Sequence, residues 1–486
     1  MSKKTEIINK VTDWRVVLGL QTLSSLILIG VIFKLGVLPM LYAIILIVVL
    51  ALLGVGTFFL MKSEKKKDAT KRLIGKIVSL VLSVVLLIGS LYIAQGTSVL
   101  DSVTDAKTQT TRISVVVKKD NGYSKLSDLK NKTIELNTDV DSDKMEKAVD
   151  ALKKEESSVK TKENDDFAKM ADDLYDGKTD AIYVNEAYYA MLEANHENFQ
   201  TETEAIWTYE IDEEIEDISK NVDVTNDPFV VYISGIDTYG KVSTISRSDV
   251  NMLVTVNPKT KQILLTSIPR DYYVTLANKK AKDKLTHSGL AGIENTVKTV
   301  ENFMDIDINY YARVNFTSLE KMVDALDGIT VDIPTSFYSG VDGSYFKAGT
   351  QVLNGKKALK FARERHAFAG GDNARVHNQQ VVLMAMLNKM MSPKIITNYT
   401  SILKSIDGSF ETNMSSKEIT DLIQMQINDM ASWTFVQKQL DGTGRTMTGG
   451  AYMPNAKLYY MLPNTKSVNE NKELIQKVLK GEKIEE

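Results

Sequence analysis

The segment PFVVYISGID, residues 228–237, has the pattern of a buried strand that ends in polar residues. Two further apolar runs follow it, VNMLVTV at 250–256 and QILLTSI at 262–268. Continuous apolar strands are typical of a sheet that helices cover on both faces. Helical periodicity recurs in three later segments, 290–304, 316–326 and 373–391. The sequence therefore predicts an α/β/α sandwich for this part of the chain.

Charged residues lie at the ends of these predicted strands. Asp237 follows the first strand, Arg247 and Asp249 precede the second, and Arg270 follows the third. Because ligands of α/β sheets bind where strands end, we expect these side chains to form one site. Only ten of the 59 basic residues are arginine, and six of those ten lie between residues 247 and 375. A guanidinium group binds two phosphate oxygens at once, so this concentration of arginine predicts a phosphate site.

A second arginine motif, FARER, covers residues 361–365. Arg363 and Arg365 are two positions apart, so on a strand or an extended loop both would face the same side. The motif precedes a helix that carries Arg375 and Gln379. The two groups of arginines together predict a cradle for pyrophosphate.

Two carboxylates, Asp237 and Asp249, accompany the arginines of the first group. They are candidate ligands for Mg²⁺, which commonly binds one or two carboxylates together with substrate phosphates. Asp237 could instead accept the proton of an attacking hydroxyl group, and the sequence leaves these two roles open. A single aspartate after a strand is more often a turn residue, so the combination with arginine indicates the site.

Three apolar runs near the N-terminus are each close to the ~20 residues that a membrane-spanning helix needs. They cover roughly residues 16–35, 37–61 and 73–94. Basic residues precede the first run and fill the 62–72 loop, so the positive-inside rule places both in the cytoplasm. Three spans then place the rest of the chain outside the cell. We expect a multi-pass protein of a Gram-positive cell membrane with its catalytic domain extracellular; the absence of cysteine fits that location.

The sequence divides into an N-terminal three-helix membrane anchor, a small α/β accessory domain and the α/β/α sandwich. The predicted segments are 1–95 (anchor), 96–111 (polar linker), 112–222 (accessory domain), 228–392 (catalytic core) and 393–486 (C-terminal part of the catalytic domain). Short β-branched runs alternate with helical periods in the accessory domain, which is typical of an α/β fold. Its role stays open between a spacer or docking domain and a binding domain.

Residues 228–392 resemble the LytR–CpsA–Psr family, and the anchor with its extra domain is similar to the streptococcal CpsA type. The resemblance is carried by SRSDVNMLVTVNPKTKQILLTSIPRDYYV (246–274), DKLTHSG (283–289), VNFTSLEKMVDALDGITVDIP (314–334) and ALKFARERHAFAGGDNARVHNQQ (358–380). It implies a phosphotransferase that moves a capsular glycopolymer from undecaprenyl pyrophosphate to peptidoglycan through a phosphodiester, with Mg²⁺.

The resemblance also implies roles for individual residues. Catalysis would involve Asp237, Asp249 and Arg270, with the two aspartates positioning Mg²⁺ or the acceptor. The pyrophosphate would be bound by six residues: Arg247, Arg270, Arg363, Arg365, Arg375 and Gln379. Asn378 stands where the family often has arginine, which leaves the role of that position in doubt.

Two other functions compete with a transferase. A scaffold or regulator of capsule synthesis would bind the lipid-linked glycan without catalysis, and it would tolerate loss of Asp237. A transcriptional attenuator would need a cytoplasmic DNA-binding unit, for which the short cytoplasmic segments leave no room. The net charge of −3 also indicates no nucleic-acid partner. The expected partners are polyprenyl-pyrophosphate-linked polysaccharide, peptidoglycan, the membrane and other proteins of capsule synthesis.

Overall fold

The computed structural model describes residues 12–62, 68–104, 107–193, 195–236, 241–340, 342–368, 372–392, 401–405, 407–408 and 410–485. Three N-terminal helices are long and apolar enough to cross a membrane: α1 (Trp14–Leu35), α2 (Met40–Met61) and α3 (Ala69–Val103). The side chain of Gln21 joins them, because its Oε1 accepts hydrogen bonds from Thr57 (2.9 Å) and Ser79 (2.6 Å). Polar contacts of this kind help to hold helices together in lipid.

The third helix is longer than the sequence predicted. It continues to Val103, and the next strand begins at Thr108, so most of the predicted 96–111 linker has regular structure. Leu100 and Val103 at the end of α3 are buried and pack in one cluster with Val37, Ile402 and Leu403. Because these contacts bury the last turns of α3 against the catalytic domain, the helix does not end where its apolar run ends.

The accessory domain is an α/β unit with a five-stranded sheet in the order β3-β2-β4-β1-β5. Strand β2 is parallel to β3 and β4, and β1 is antiparallel to β4 and β5. Its elements are β1 (Thr108–Lys118), β2 (Thr133–Leu136), α4 (Ser142–Glu155), β3 (Lys160–Glu163), α5 (Phe167–Tyr175), β4 (Ala181–Asn185), α6 (Tyr189–Leu192), α7 (Phe199–Glu202) and β5 (Thr203–Glu214), with short 3-10 helices at Leu126–Leu129 and Glu186–Tyr188.

The catalytic domain contains a six-stranded mixed sheet in the order β16-β11-β6-β7-β8-β17. Only the β11–β6 and β8–β17 pairs are parallel. The six strands are β6 (Phe229–Gly235), β7 (Val250–Asn257), β8 (Gln262–Ser267), β11 (Tyr310–Val314), β16 (Phe410–Thr412) and β17 (Thr434–Gln439). Strands β16 and β17 come from the predicted C-terminal part, which therefore contributes both edge strands of the same sheet.

Helices cover both faces of this sheet. Their bounds are α8 (Ile293–Met304), α9 (Phe316–Ala325), α10 (Gly355–Arg363), α11 (Asp372–Met390), α12 (Ser416–Asp429) and α13 (Thr465–Leu479). On one face, Val300 of α8 and Ile475 of α13 share a buried cluster with Leu264 of β8. On the other face, Leu383 of α11 packs in a cluster with Leu265 of β8. This arrangement confirms the predicted α/β/α sandwich.

Shorter elements complete the catalytic domain. They are β9 (Tyr273–Thr275), β10 (Lys282–Lys284), a 3-10 segment at Leu285–Ala291, β12 (Ile329–Ile333), β13 (Phe337–Tyr338), β14 (Tyr345–Phe346), β15 (Gly349–Leu353), β18 (Gly442–Met447) and β19 (Leu458–Pro463). The 3-10 segment lies directly against the residues that precede β7, because the N–H of Ser248 donates to Thr286 O at 3.2 Å.

Candidate active site

The centre of the candidate site is the carboxylate of Asp249, immediately before β7. Its backbone N–H donates to Gly235 O at 2.8 Å, which continues the β6–β7 ladder and fixes its main chain at the edge of the sheet. Oδ1 accepts hydrogen bonds from Arg270 Nη1 at 3.2 Å and from Thr286 Oγ1 at 2.9 Å. Oδ2 lies 3.6 Å from Arg247 Nη2. Three side chains from separate segments therefore converge on one buried carboxylate, whose residue is 8% exposed.

The electrostatics of Asp249 follow from this convergence. Burial alone would raise the pKa of the carboxyl group, because it removes water from the charged form. The positive charges of Arg247 and Arg270, the hydrogen bond from Thr286 and the charge of Arg375 outweigh that effect, and they lower the pKa to about 2. Asp249 is thus an anion at every physiological pH.

The two arginines that were predicted beside Asp249 are brought to it by the sheet. Arg270 follows β8, whose neighbour in the sheet is β7. The end of β8 lies beside the start of β7, which Asp249 precedes. The side chain of Arg270 also approaches Asp271 Oδ2 at 3.6 Å, and Lys284 Nζ lies 2.9 Å from Asp271 Oδ1. This part of the prediction, which placed Arg247, Asp249 and Arg270 together, agrees with the geometry.

Thr286 is the residue of this group that the sequence did not single out. It lies in the 3-10 segment and is 2% exposed, and its N–H donates to Arg270 O at 2.9 Å. A threonine in a loop has no distinctive sequence signal. The only available hint was its place in the family-like phrase DKLTHSG. His287, the next residue, instead faces Asp283, whose Oδ1 lies 2.9 Å from Nδ1 of the ring. That contact is structural.

A buried hydroxyl network supports the residues before β7. Ser248 Oγ lies 2.8 Å from Ser234 Oγ and 3.1 Å from Tyr232 Oη, and Tyr232 donates to Asn251 Oδ1. Gly289 of the 3-10 segment packs against the same stretch, because a Cβ atom there would lie 2.5 Å from Ser246 O. The stretch of chain that carries Arg247 and Asp249 is therefore closely packed and held by hydrogen bonds.

Helix α11 contributes Arg375 to the site. Its charge reaches Asp249 and lowers the pKa of that carboxyl group. Asn378, one turn later, is 5% exposed and donates to Phe361 O at 3.1 Å, so it ties α11 to α10. Gln380 is also buried and donates to Lys438 O at 2.7 Å. Gln379 is half-buried on the same helix, and its predicted contact with pyrophosphate stays a prediction.

The FARER motif does not form the extended segment in which its two arginines would face the same side. Arg363 is the last residue of α10, and Arg365 lies in the loop after it, so the two do not share one side of an extended segment. The guanidinium of Arg363 lies over the ring of Phe316 at 4.1 Å, whereas Arg365 Nε donates to His366 Nε2 at 3.1 Å. Glu364 between them is fully buried, and its carboxylate accepts the N–H groups of the following turn.

Of the two predicted metal ligands, Asp237 lies outside the described residues, and Oδ2 of Asp249 lies in an ion pair with Arg247 at 3.6 Å. None of the described residues donates a hydrogen bond to Asp249 Oδ2, which is buried. Within the described part of the chain, no group of three His, Cys, Asp or Glu side chains is placed to hold a metal. Binding of Mg²⁺ at Asp249, where water and substrate phosphate would complete its shell, stays a prediction.

The arrangement brings several guanidinium groups to one carboxylate. Arg247 and Arg270 contact Asp249, and the charge of Arg375 reaches it. Guanidinium groups at the edge of a sheet suit phosphate oxygens in charge and in geometry.

The family model with the description LytR_cpsA_psr family matches residues 188–477, which is more than half of the chain. The chain belongs to this family. The site around Asp249 lies inside the matched residues. A second family model, DNA polymerase processivity factor, matches residues 65–184, which is less than half of the chain and runs from α3 into the accessory domain.

Several relatives match about half of this LytR–CpsA–Psr chain. The protein named polyisoprenyl-teichoic acid–peptidoglycan teichoic acid transferase TagU from Bacillus licheniformis is 36% identical over 233 residues, covering 48% of this chain and 74% of its own. The protein of the same name from Enterococcus faecalis is 33% identical over 249 residues, covering 50% and 80%. Among solved structures, TagT bound to LI-WTA is 30% identical and covers 54% and 94%, with a TM-score of 0.44.

Proposed function

We propose that this chain transfers a glycopolymer from a polyprenyl-pyrophosphate carrier to peptidoglycan at the cell surface. The relatives that share 36% and 33% identity are named as teichoic acid–peptidoglycan transferases, which supports a transferase of the same general kind. The observation that carries the proposal is the convergence of Arg247 and Arg270, and of the charge of Arg375, on the buried Asp249 at the edge of the sheet. Pyrophosphate has the complementary charge. A capsular polysaccharide is the glycopolymer that the CpsA-type organisation favours.

The proposed reaction is a displacement at phosphorus. A hydroxyl group of the acceptor attacks the phosphorus atom that bears the glycan, and the bond from that atom to the bridging oxygen breaks. Polyprenyl phosphate leaves with that oxygen, the proton of the hydroxyl group passes to a base, and a phosphodiester joins glycan and acceptor. Such a reaction needs aligned groups and neutralised charge more than a protein nucleophile. Arg247, Arg270 and Arg375 would supply the neutralising charge.

Asp249 is better suited to holding charge than to accepting a proton. A carboxylate with a pKa of about 2 is a weak base at neutral pH. Its hydrogen bond to Arg270 orients one guanidinium group, and its second oxygen could bind Mg²⁺. When bound, Mg²⁺ would neutralise charge on the phosphate oxygens. The proton acceptor is then proposed to be Asp237, which is one of the two roles that the sequence left open for it.

The location follows from the membrane helices. We propose that α1 to α3 span the cell membrane with the N-terminus and the 62–72 loop in the cytoplasm. Three spans place the accessory and catalytic domains outside, where peptidoglycan is. The contacts of Leu100 and Val103 with the catalytic domain would keep the site close to the membrane surface that holds the lipid carrier.

The experiment uses the full-length chain in lipid nanodiscs with a polyprenyl-pyrophosphoryl oligosaccharide, a peptidoglycan acceptor and Mg²⁺. Mass spectrometry follows the product for wild type, Arg270→Ala and a matched control, Arg445→Ala. Arg445 is an exposed arginine on β18, outside the group around Asp249. We expect glycan joined to the acceptor through phosphate with wild type and control, and loss of product with Arg270→Ala.

Two results would contradict the proposal. Product that persists in Arg270→Ala at the wild-type rate would remove the arginine group from the reaction. Carrier that is bound by all three proteins but never consumed would instead support the non-catalytic scaffold.

A further inference from the structure

The first accessory strand, β1, lies directly against the loop that carries Arg247 and Asp249. Thr110 of β1 forms an isolated parallel bridge with Thr244 of that loop. The N–H of Thr110 donates to Ser243 O at 2.9 Å, and the N–H of Ile245 donates to Thr110 O at 2.8 Å. Backbone hydrogen bonds thus join the accessory domain to the active-site loop at Ser243 and Ile245, which lie four and two residues before Arg247.

The same strand also contacts the other side of the site. Gly292, at the start of α8, has a φ of +92°, and a Cβ atom there would lie 2.4 Å from Oε1 of Gln109. Gly292 directly follows the 3-10 segment that carries Thr286. Gln109 and Thr110 therefore touch both segments that meet at Asp249.

The loop is held from the opposite direction by the main sheet. Arg313 of β11 donates from Nη2 to Thr244 O at 2.9 Å and from Nη1 to Glu411 at 2.8 Å, and its residue is 3% exposed. The N–H of Val242 donates to Gly408 O at 3.2 Å. Thr244 therefore contacts both Thr110 of the accessory strand and Arg313 of a buried ion pair.

We propose that the accessory domain is part of the active-site scaffold, with Gln109, Thr110 and Arg313 as positioning residues for Arg247 and Asp249. None of the three touches the reacting groups. They restrict the 241–249 loop, whose displacement by about 1 Å would cost on the order of 100-fold in rate. Since β1 begins five residues after α3 ends, the same contacts fix the site relative to the membrane anchor. The catalytic consequence rests on the proposed transferase function.

The geometry of β1 offers a substitution that breaks a backbone hydrogen bond to the loop and keeps those to β5. The N–H and C=O of one strand residue point to the same side, and those of Thr110 point to the loop. Thr110, opposite Asp212, thus forms no ladder bond with β5. Thr110→Pro removes the bond to Ser243 and spares the β1–β5 ladder. Thr108→Pro is the matched control, since Thr108 lies two residues earlier on the same side of β1, outside the bridge.

One further control separates the side chain from the backbone. The hydroxyl of Thr110 donates to Asp212 Oδ1 at 2.7 Å, and proline also removes that bond. Thr110→Val removes the hydroxyl and keeps the backbone N–H. Its behaviour shows how much of the effect of Thr110→Pro comes from the contact with Asp212.

The test measures hydrogen exchange of the 243–249 peptide in the full-length chain, together with its melting temperature and its transfer rate. We expect faster exchange in Thr110→Pro than in either control, similar melting temperatures, and kcat lower by about 10-fold or more with a smaller change in KM. Exchange equal to that of Thr108→Pro, or faster exchange with an unchanged kcat, would overturn the proposal.

Hydrogen exchange needs no turnover, so it keeps this inference separate from the proposed function. If wild type transfers no glycan, the transferase proposal fails on its own, and affinity for inorganic pyrophosphate becomes the second readout. Weaker binding by Thr110→Pro than by Thr108→Pro would support the positioning role, and equal binding would overturn it.

Discussion

The hydroxyl group of Thr286 donates a 2.9 Å hydrogen bond to Oδ1 of Asp249, 37 residues away in the sequence. Both side chains are buried, so this bond forms where water cannot replace it. It helps to keep the carboxylate ionised, together with Arg247 and Arg270. The anionic carboxylate in turn holds the guanidinium of Arg270 in place. A neutral residue from the 3-10 segment thereby takes part in orienting the charged groups of the site.

The first prediction concerns Thr286. Thr286→Val keeps the shape of the side chain and removes the donor, so the transfer rate should fall by about 10-fold or more, since hydrogen bonds to charged groups contribute about 1.5–3 kcal/mol. Thr286→Ser restores the hydroxyl and should recover most of the rate. Steady-state kinetics on all three proteins checks this. Equal rates for the valine and serine variants would show that the hydroxyl group is unimportant.

The second prediction concerns the pH dependence of stability. The pKa of Asp249 is lowered from 3.8 to about 2 on folding, so its ionised form favours the folded state. That contribution, about 2 kcal/mol, is present above pH ~4 and is lost as the pH falls towards 2. The variant Asp249→Asn lacks this contribution to the free energy of unfolding. The free energy of unfolding of wild type and of Asp249→Asn is measured between pH 6 and 2. The difference between the two values should become smaller below pH 4. A difference that stays constant over this range would contradict the assignment.

The strands and the Asp249 group could be predicted from sequence because each has a local signal. The strands at 250–256 and 262–268 are continuous apolar runs, and Arg247, Asp249 and Arg270 are charged residues that interrupt this pattern at strand ends. Neighbouring strands bring such residues together whatever the order of the other strands. This is why the core of the site followed from a short stretch of chain.

Features that depend on distant contacts were missed. Thr286 acquires its role from the segment that packs beside β7, and no local pattern marks it. Arg363 ends α10, which is joined to α11 by the Asn378 contact, and the FARER motif reveals neither feature. The end of α3 at Val103 likewise depends on burial against the catalytic domain rather than on hydropathy.

A third prediction concerns the buried ion pair of Arg313 and Glu411. Arg313→Met leaves the carboxylate of Glu411 buried without its partner, so the free energy of unfolding should fall by about 3–5 kcal/mol. The double variant Arg313→Met, Glu411→Met removes both charges and should recover much of that loss. Denaturant unfolding measures both. A double variant as unstable as the single one would indicate that Arg313 stabilises the chain mainly through Thr244.

The last prediction concerns Asn378, at a position where the family resemblance noted in the sequence implies arginine. Its side chain is buried between α10 and α11 and donates to Phe361 O, so a guanidinium at this position would have to leave that interface or enter it uncompensated. Asn378→Arg should therefore lower the melting temperature without raising the transfer rate. Asn378→Ala leaves the Phe361 carbonyl without this donor, so it should lower the free energy of unfolding by about 1–3 kcal/mol.

His377 provides the matched control for that prediction. It is exposed on the same helix, so His377→Arg adds the same charge one residue away without entering the interface. The melting temperature of His377→Arg should stay close to that of wild type. If Asn378→Arg instead raised the transfer rate at an unchanged melting temperature, the position would belong to the phosphate site, and the packing role of Asn378 would be secondary.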